Sequence, residues 1–156
     1  MGKILTSLGL MSGTSGDGID ASIIKSNGDI NSTQINNLEL IEDKFFEYEK
    51  KTIKKINLLR NKINFHKDLQ IYKKEIDDIQ REITLFHAKA TKDLIKSYEI
   101  DLIGFHGHTI YHNPKEKISY QMGDAKLLSQ LVKTQVIFNF REKDIKNGGE
   151  GAPLAP

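Results

Sequence analysis

The 156-residue sequence contains no cysteine. Disulfides, thiolate metal sites and a cysteine nucleophile are therefore excluded, and the absence agrees with a reducing compartment. An excess of charge of one sign is also lacking. Lys+Arg total 23 against 21 for Asp+Glu, a formal net charge of +2. Nothing in that balance points to a nucleic-acid or membrane partner. Long hydrophobic runs are missing too. The apolar stretch that starts at Ile4 breaks at Ser12, too soon for a membrane span and without the cleavage signature of a signal peptide. A cytoplasmic location is expected. No linker, internal repeat or low-complexity tract interrupts the chain. What is present is ordinary for a soluble domain: 38% hydrophobic and 28% charged residues, in a length that suits one domain, residues 1–156, with a sizeable core.

Ile4 to Leu10 reads as a first strand that ends in a glycine-rich turn, Ser12-Gly13-Thr14-Ser15-Gly16-Asp17-Gly18. Ile19 to Ile24 reads as a second strand, Asn27-Gly28-Asp29 as a hairpin turn, and a third strand is expected within Ile30 to Ile41. From Phe45 to about Lys62, and from His66 to Glu99, the period changes to that of a helix. Ile53, Ile56 and Leu59 form one apolar stripe, and Leu69, Ile76, Ile79, Ile83 and Phe86 another. The interspersed lysines and glutamates are solvated faces. Asp101 to Phe105 reads as a strand running out into a histidine-rich loop. Ile118 to Met122 is a short strand, Ala125 to Val132 a short helix, and Gln135 to Phe140 a buried-type strand. Arg141 to Pro156 has no apolar period and reads as a loop. The order, three strands followed by helices, strand, helix and strand, predicts an α/β domain with a mixed sheet.

Three motifs carry the chemistry. In Gly13-Thr14-Ser15-Gly16-Asp17-Gly18-Ile19-Asp20, three glycines permit positive φ and close approach of a ligand to the backbone. Turn amides and the Thr14 and Ser15 hydroxyls can hydrogen-bond phosphate oxygens, and Asp17 and Asp20 can hold magnesium directly or through water. This is not a Walker loop, because the lysine is absent and a strand follows. A plain hairpin of turn-forming residues reads equally well on spacing alone. The second motif, Gly104 to Pro114, gathers His106, His108 and His112 past a strand end, where open α/β sheets bind ligands. Three imidazoles can bind zinc, but the cluster holds no carboxylate and lacks a zinc spacing. Recognition of a hydroxyl-rich ligand by His106, His108 and Asn113 fits better, beside the alternative of a structural loop. In the third motif, Arg141 directly follows a strand and can fork to a carboxylate or phosphate, while Gly148, Gly149 and Gly151 allow a tight loop or a disordered tail.

Taken together, Gly9 to Ser15, Asp17-Gly18-Ile19-Asp20, Gly104 to Pro114, Gln121-Met122-Gly123-Asp124 and Phe140-Arg141 through Pro156 resemble the anhydro-N-acetylmuramic acid kinases. The resemblance implies the N-terminal lobe of the actin-like, hexokinase-like and Hsp70-like ATPase fold. It implies use of ATP and magnesium to open the 1,6-anhydro ring of the amino sugar and phosphorylate its 6-oxygen. Gly13, Thr14, Ser15, Gly16, Asp17, Gly18, Ile19 and Asp20 would then be the phosphate hairpin, and His106, His108, Asn113 and Arg141 would face the sugar. Departures from the family pattern stand at Gly16 (usually Leu-like), His108 (Gln), Asn113 (Glu), Asn139 (Asp) and Glu150 (Gln). The family's water-activating aspartate belongs to a later Asp-Gly-Pro-Gly-like segment, and its adenosine-binding glycines lie later still. No catalytic residue is expected within these 156 residues, and a metal set is not assigned. The competing readings are a non-catalytic nucleotide-binding fragment and another member of the actin-like ATPase superfamily. The block from Arg141 to Pro156 favours the kinase family over the latter.

Overall fold

Alternation of apolar and polar residues fixes the first two strands. In the computed structural model, which describes residues 3–28 and 38–152, β1 (Leu5–Ser12) buries Leu8 and Leu10 on one face and turns Gly9 and Met11 to the other. β2 (Gly18–Ser26) buries Ile19, Ala21 and Ile23 and turns out Asp20 and Ser22. The two pair antiparallel across the glycine turn, with Met11 opposite Asp20. β3 (Leu38–Glu47) adds antiparallel to β2. It lies further along the chain than the expected 30–41, and residues 29–37, with part of the Asn27–Asp29 turn, are outside the described set. Phe45 and Phe46, placed by spacing at the start of a helix, instead end this strand opposite Asp20 and Ile19. Consecutive aromatics suit a strand with one face buried and one open, and Phe46 packs against the core.

The helical segment divides in three: α1 (Lys50–Arg60), α2 (His66–Ile71) and α3 (Lys73–Leu94). The single helix expected over 66–99 breaks at Tyr72 and ends five residues early. The Asp68 carboxylate accepts the N–H groups of Asn64 and Phe65 at 2.9 and 2.8 Å, which satisfies donors that the start of α2 would otherwise leave unpaired. The apolar stripes behave as expected. Ile56 and Leu59 of α1, with Ile76, Ile79 and Ile83 of α3, are buried against Leu8, Leu10, Ile19, Ile23, Ile103 and Phe105 of the sheet. An edge-to-face contact between Tyr48 and Phe86, 4.9 Å between ring centres, joins the end of β3 to α3.

β4 (Leu102–Asn113) corrects the largest misreading. Its twelve residues run through the histidine cluster, so His106, His108, His112 and Asn113 are strand residues rather than a loop. The strand continues because it has partners on both sides. It lies parallel to β1 up to the Ser12–His108 pair, and antiparallel to β5 (Ile118–Met122), joined by a single 3₁₀ turn at Pro114–Glu116. Its first three residues pair in parallel with β6 (Gln135–Ile137). The sheet order is β3-β2-β1-β4-β5, with β6 beside the start of β4. α4 (Ala125–Val132) starts at Asp124, whose carboxylate accepts the Leu127 N–H at 2.9 Å. β6 is three residues long and lies at an edge, with Ile137 and Phe138 nearly half exposed, so the buried strand expected over 135–140 is not formed. Asn139 takes a left-handed φ of 62° and turns the chain into α5 (Phe140–Lys146), a helix where a loop was expected. Seven residues are too few for an apolar period to declare itself.

Candidate active site

The turn between β1 and β2 closes on itself: the Gly16 N–H donates to the Gly13 carbonyl at 3.1 Å. Gly16 has a φ of +66°, and Ile56, Arg60 and His108 close its inner side. A side chain at Gly18 would overlap the Phe46 carbonyl and the Phe45 ring, so β2 can start this close to β3 only with glycine there. Thr14, Ser15 and Asp17 stand exposed at the tip. The Ser15 hydroxyl donates to the Asp17 carboxylate at 2.6 Å and holds that carboxyl below the usual range, so Asp17 is anionic. Asp20 is exposed on the face turned away from the helices. The Ile19 side chain is fully buried in the core, which leaves only its backbone for a ligand.

A bulge decides where the histidines go. Between β1 and β4 the register shifts by one residue, so that Leu10 pairs with Phe105 but Met11 with Gly107. Gly107 accommodates the bulge with a φ of +72°. His106 and His108 would share a face in a regular strand. Here they part. His106 stands on the open face with Gly104, and its Nε2 accepts from Arg141 Nε at 2.7 Å while its Nδ1 donates to the Gly107 carbonyl at 2.9 Å. Burial, with Arg141 beside it, lowers its pKa, in keeping with a neutral ring. His108 turns beneath the hairpin, fully buried. Its Nε2 accepts from Arg60 at 3.3 Å and its Nδ1 donates to Ser12 Oγ at 3.1 Å, where the Tyr48 hydroxyl also donates at 3.2 Å. The tautomers follow from the arginine partners, which can only donate. Burial, then Arg60, pushes the His108 pKa down to about 4.

Asn113 lies elsewhere. It is five residues past His108, roughly 16 Å along the strand, where its side-chain carbonyl accepts the Glu116 N–H and caps the 3₁₀ turn. Its side chain is therefore engaged at the tip of the β4–β5 hairpin. His112 bonds Ser119 at 3.0 Å on the same projection. Among the described residues, no three His, Asp or Glu side chains converge as a metal-binding group. The histidines of the cluster instead point to opposite sides of the sheet.

An open trough of about 520 Å³ lies on the face of β1, β2 and β4 opposite α1 and α3. Gly9 and Gly104 leave its floor bare, Asp20 and Ser22 form one wall, and His106, Phe140 and Arg141 the other. α5 builds that second wall. The Phe140 ring lies over Gly104, and Arg141 Nη1 donates to the Gly151 carbonyl at 2.7 Å. The Asp144 carboxylate accepts the Gly151 N–H at 2.8 Å, which folds the glycine loop back on the helix. Sequence reasoning named Asp20, His106 and Arg141, and the structure brings them to one trough. It missed Phe140 and Asp144, because the helix that carries them was read as loop. It also missed Gly9 and Gly104, whose only signal is their register: they are paired glycines on adjacent parallel strands.

A mixed sheet in which an antiparallel meander is followed by a strand parallel to β1, with a glycine hairpin at the switch point and α1 and α3 packed against one face, is the N-terminal lobe of an actin-like, hexokinase-like and Hsp70-like ATPase. A family model described as anhydro-N-acetylmuramic acid kinase matches residues 5–156. Curated proteins of that name are similar throughout. The one from Pelagibacter ubique (strain HTCC1062) is 55% identical over 100% of this chain and 40% of its own length. That from Agrobacterium fabrum is 32% identical over 100% of the chain and 42% of its own, and that from Zymomonas mobilis 35% identical over 97% and 42%. The chain belongs to the anhydro-N-acetylmuramic acid kinase family, and it spans about two fifths of the length of these relatives.

Proposed function

We propose that the 156 residues are the N-terminal lobe of a cytoplasmic, ATP-dependent kinase that opens the 1,6-anhydro ring of anhydro-N-acetylmuramic acid. Phosphorylation of O6 gives N-acetylmuramate 6-phosphate, a step of peptidoglycan recycling and amino sugar catabolism. The observation that carries this reading is the trough in which Asp20, His106 and Arg141 meet beside the glycine hairpin. The hairpin suits ATP and magnesium on its donor set: exposed Thr14 and Ser15, a backbone turn at Gly13–Gly16, and the hard carboxylate oxygens of Asp17 and Asp20. Bound there, ATP supplies the phosphoryl group and magnesium neutralises its charge.

The chain's own residues then bind and orient. Neutral His106 holds Arg141 by its Nε, which leaves guanidinium N–H groups free to meet acceptors on the sugar. His108 acts from beneath the hairpin, and Asn113 on the projecting β4–β5 turn reaches sugar only if the sugar extends that far. The chain alone does not turn over, because it holds no Asp-Gly-Pro-Gly-like segment to activate water. General base catalysis is typically worth roughly 10²–10⁴-fold. The test is calorimetric titration of the chain with magnesium ATP and with the anhydro sugar, beside a coupled ADP assay. Binding without turnover is expected. ADP release above the no-protein control that Asp17→Ala abolishes would place the catalytic machinery within these residues, and absence of any binding would remove the site.

A further inference from the structure

Arg60 ends α1 directly beneath the hairpin. Its Nη2 donates to His108 Nε2 at 3.3 Å and lies 3.2 Å from the point a Gly16 side chain would occupy. Among the described residues it forms no ion pair with any carboxylate. The guanidinium donates to a neutral imidazole, which orients it without cancelling its charge. His108 in turn is fixed by Ser12, and Ser12 by Tyr48, so the arginine is aimed by a buried chain of side chains rather than resting on the surface.

This arrangement carries a charge imbalance. A half-buried guanidinium without an anionic partner is costly. On the outer side of the same turn, the hairpin already bears the Asp17 and Asp20 carboxylates, and its amides offer only partial positive charge. A polyphosphate placed there would add several negative charges with no full cation of the hairpin to meet them. Arg60 lies against the inner side of the turn at Gly16.

We propose that Arg60 is the cationic half of the polyphosphate site, with His108 as its positioning residue. The proposal rests on the reading of Gly13–Asp20 as a phosphate hairpin. Arg60 raises affinity for condensed phosphate through charge, and His108 sets where that charge sits. A side chain at Gly16 would crowd Ile56 at 3.0 Å, the guanidinium at 3.2 Å and the His108 ring at 3.3 Å, on a backbone of φ +66°.

The experiment uses the isotopically labelled chain and inorganic tripolyphosphate as the probe, at low and moderate salt. Amide shifts of Gly13, Thr14, Ser15 and Gly16 report binding. The wild type should saturate, with affinity falling as salt rises. Arg60→Gln should bind about tenfold or more weakly, with a flatter salt dependence, and Arg60→Lys should recover most of the loss. His108→Ala should weaken binding by an intermediate factor. His108→Gln, which can still accept from Arg60, should restore it. Unchanged amide dispersion elsewhere shows that each variant is folded. If the wild-type hairpin amides respond and Arg60→Gln binds equally well, the proposal fails while the phosphate hairpin stands. If those amides do not respond in the wild type, the hairpin reading fails and takes this proposal with it. A loss common to Arg60→Gln and Arg60→Lys would assign Arg60 a shape role and overturn the charge argument.

Discussion

Replacing Gly107 by alanine tests the bulge that sorts the two histidines. Two costs add. The residue sits at a φ of +72°, and a left-handed conformation costs a side-chain-bearing residue about 1–2 kcal/mol. The new methyl would also overlap the Met122 carbonyl on β5, and relieving such overpacking costs typically 1–3 kcal/mol. The sum is about 2–5 kcal/mol. In a chain of this size, each kcal/mol lowers Tm by roughly 2–4 °C, so a drop of about 4–20 °C is expected. Gly28→Ala is the control. Its φ is +70°, and among the described residues nothing lies within 4 Å of the added carbon. It carries the dihedral cost alone, about 1–2 kcal/mol. Both variants remove similar entropy from the unfolded chain, so that effect cancels in the comparison. Urea unfolding of the two proteins gives the difference directly. If Gly107→Ala costs within about 0.5 kcal/mol of Gly28→Ala, the bulge is not sterically enforced, and the separation of His106 from His108 loses its explanation.

Further outcomes follow from other parts of the structure. Ile83→Ala, at a fully buried site on α3, should cost about 2–5 kcal/mol in urea unfolding, whereas Leu85→Ala, 45% exposed two residues on, should cost under about 0.5 kcal/mol. His87 and His108 both have pKa values pushed down to about 4, chiefly by burial. The unfolded chain therefore binds more protons than the folded one between about pH 6.5 and pH 4, and stability falls as pH drops through that window. Each histidine contributes on the order of 3 kcal/mol to the loss, and His108→Gln should remove its share of the slope in unfolding measured against pH. Arg141→Ala removes the bonds to His106 and Gly151 and should cost about 1–3 kcal/mol. Its specific signature is faster amide exchange at Gly151.

What the sequence disclosed was local. The hairpin at Gly13–Gly18 is legible because a turn needs only its own glycines and the apolar runs beside it. The stripes of α1 and α3 are legible because several turns of helix repeat the signal. β4 was misread because nothing local marks His106 to Asn113 as strand. Those residues are extended because β1 lies on one side and β5 on the other, and that pairing is written in segments about a hundred and ten residues apart along the chain. α5 was misread for the opposite reason: it is too short to show a period, and its start depends on Asn139 adopting a left-handed φ. The candidate site inherits these limits. Asp20, His106 and Arg141 were named by residue type, but which side of the sheet each one faces could come only from the register.

That register is also what lets one short segment serve two purposes. The sequence Phe105-His106-Gly107-His108 would, as a regular strand, aim Phe105 and Gly107 at the helices and both histidines at the trough. With the bulge, Phe105 still packs in the core, where it meets His87 edge-to-face at 4.9 Å. His106 still faces the trough. His108, however, is carried to the helix side, level with Ser12 at the start of the hairpin. One extra residue thus places one imidazole against the open trough and another against the underside of the turn. The same glycine that permits this brings β4 close against Met122 of β5, so the position of His108 beneath the hairpin and the attachment of the β4–β5 projection are fixed together. A change that straightened β4 would move His108 off Arg60 and Ser12 at once. The hairpin would lose its support from below without any alteration to its own sequence.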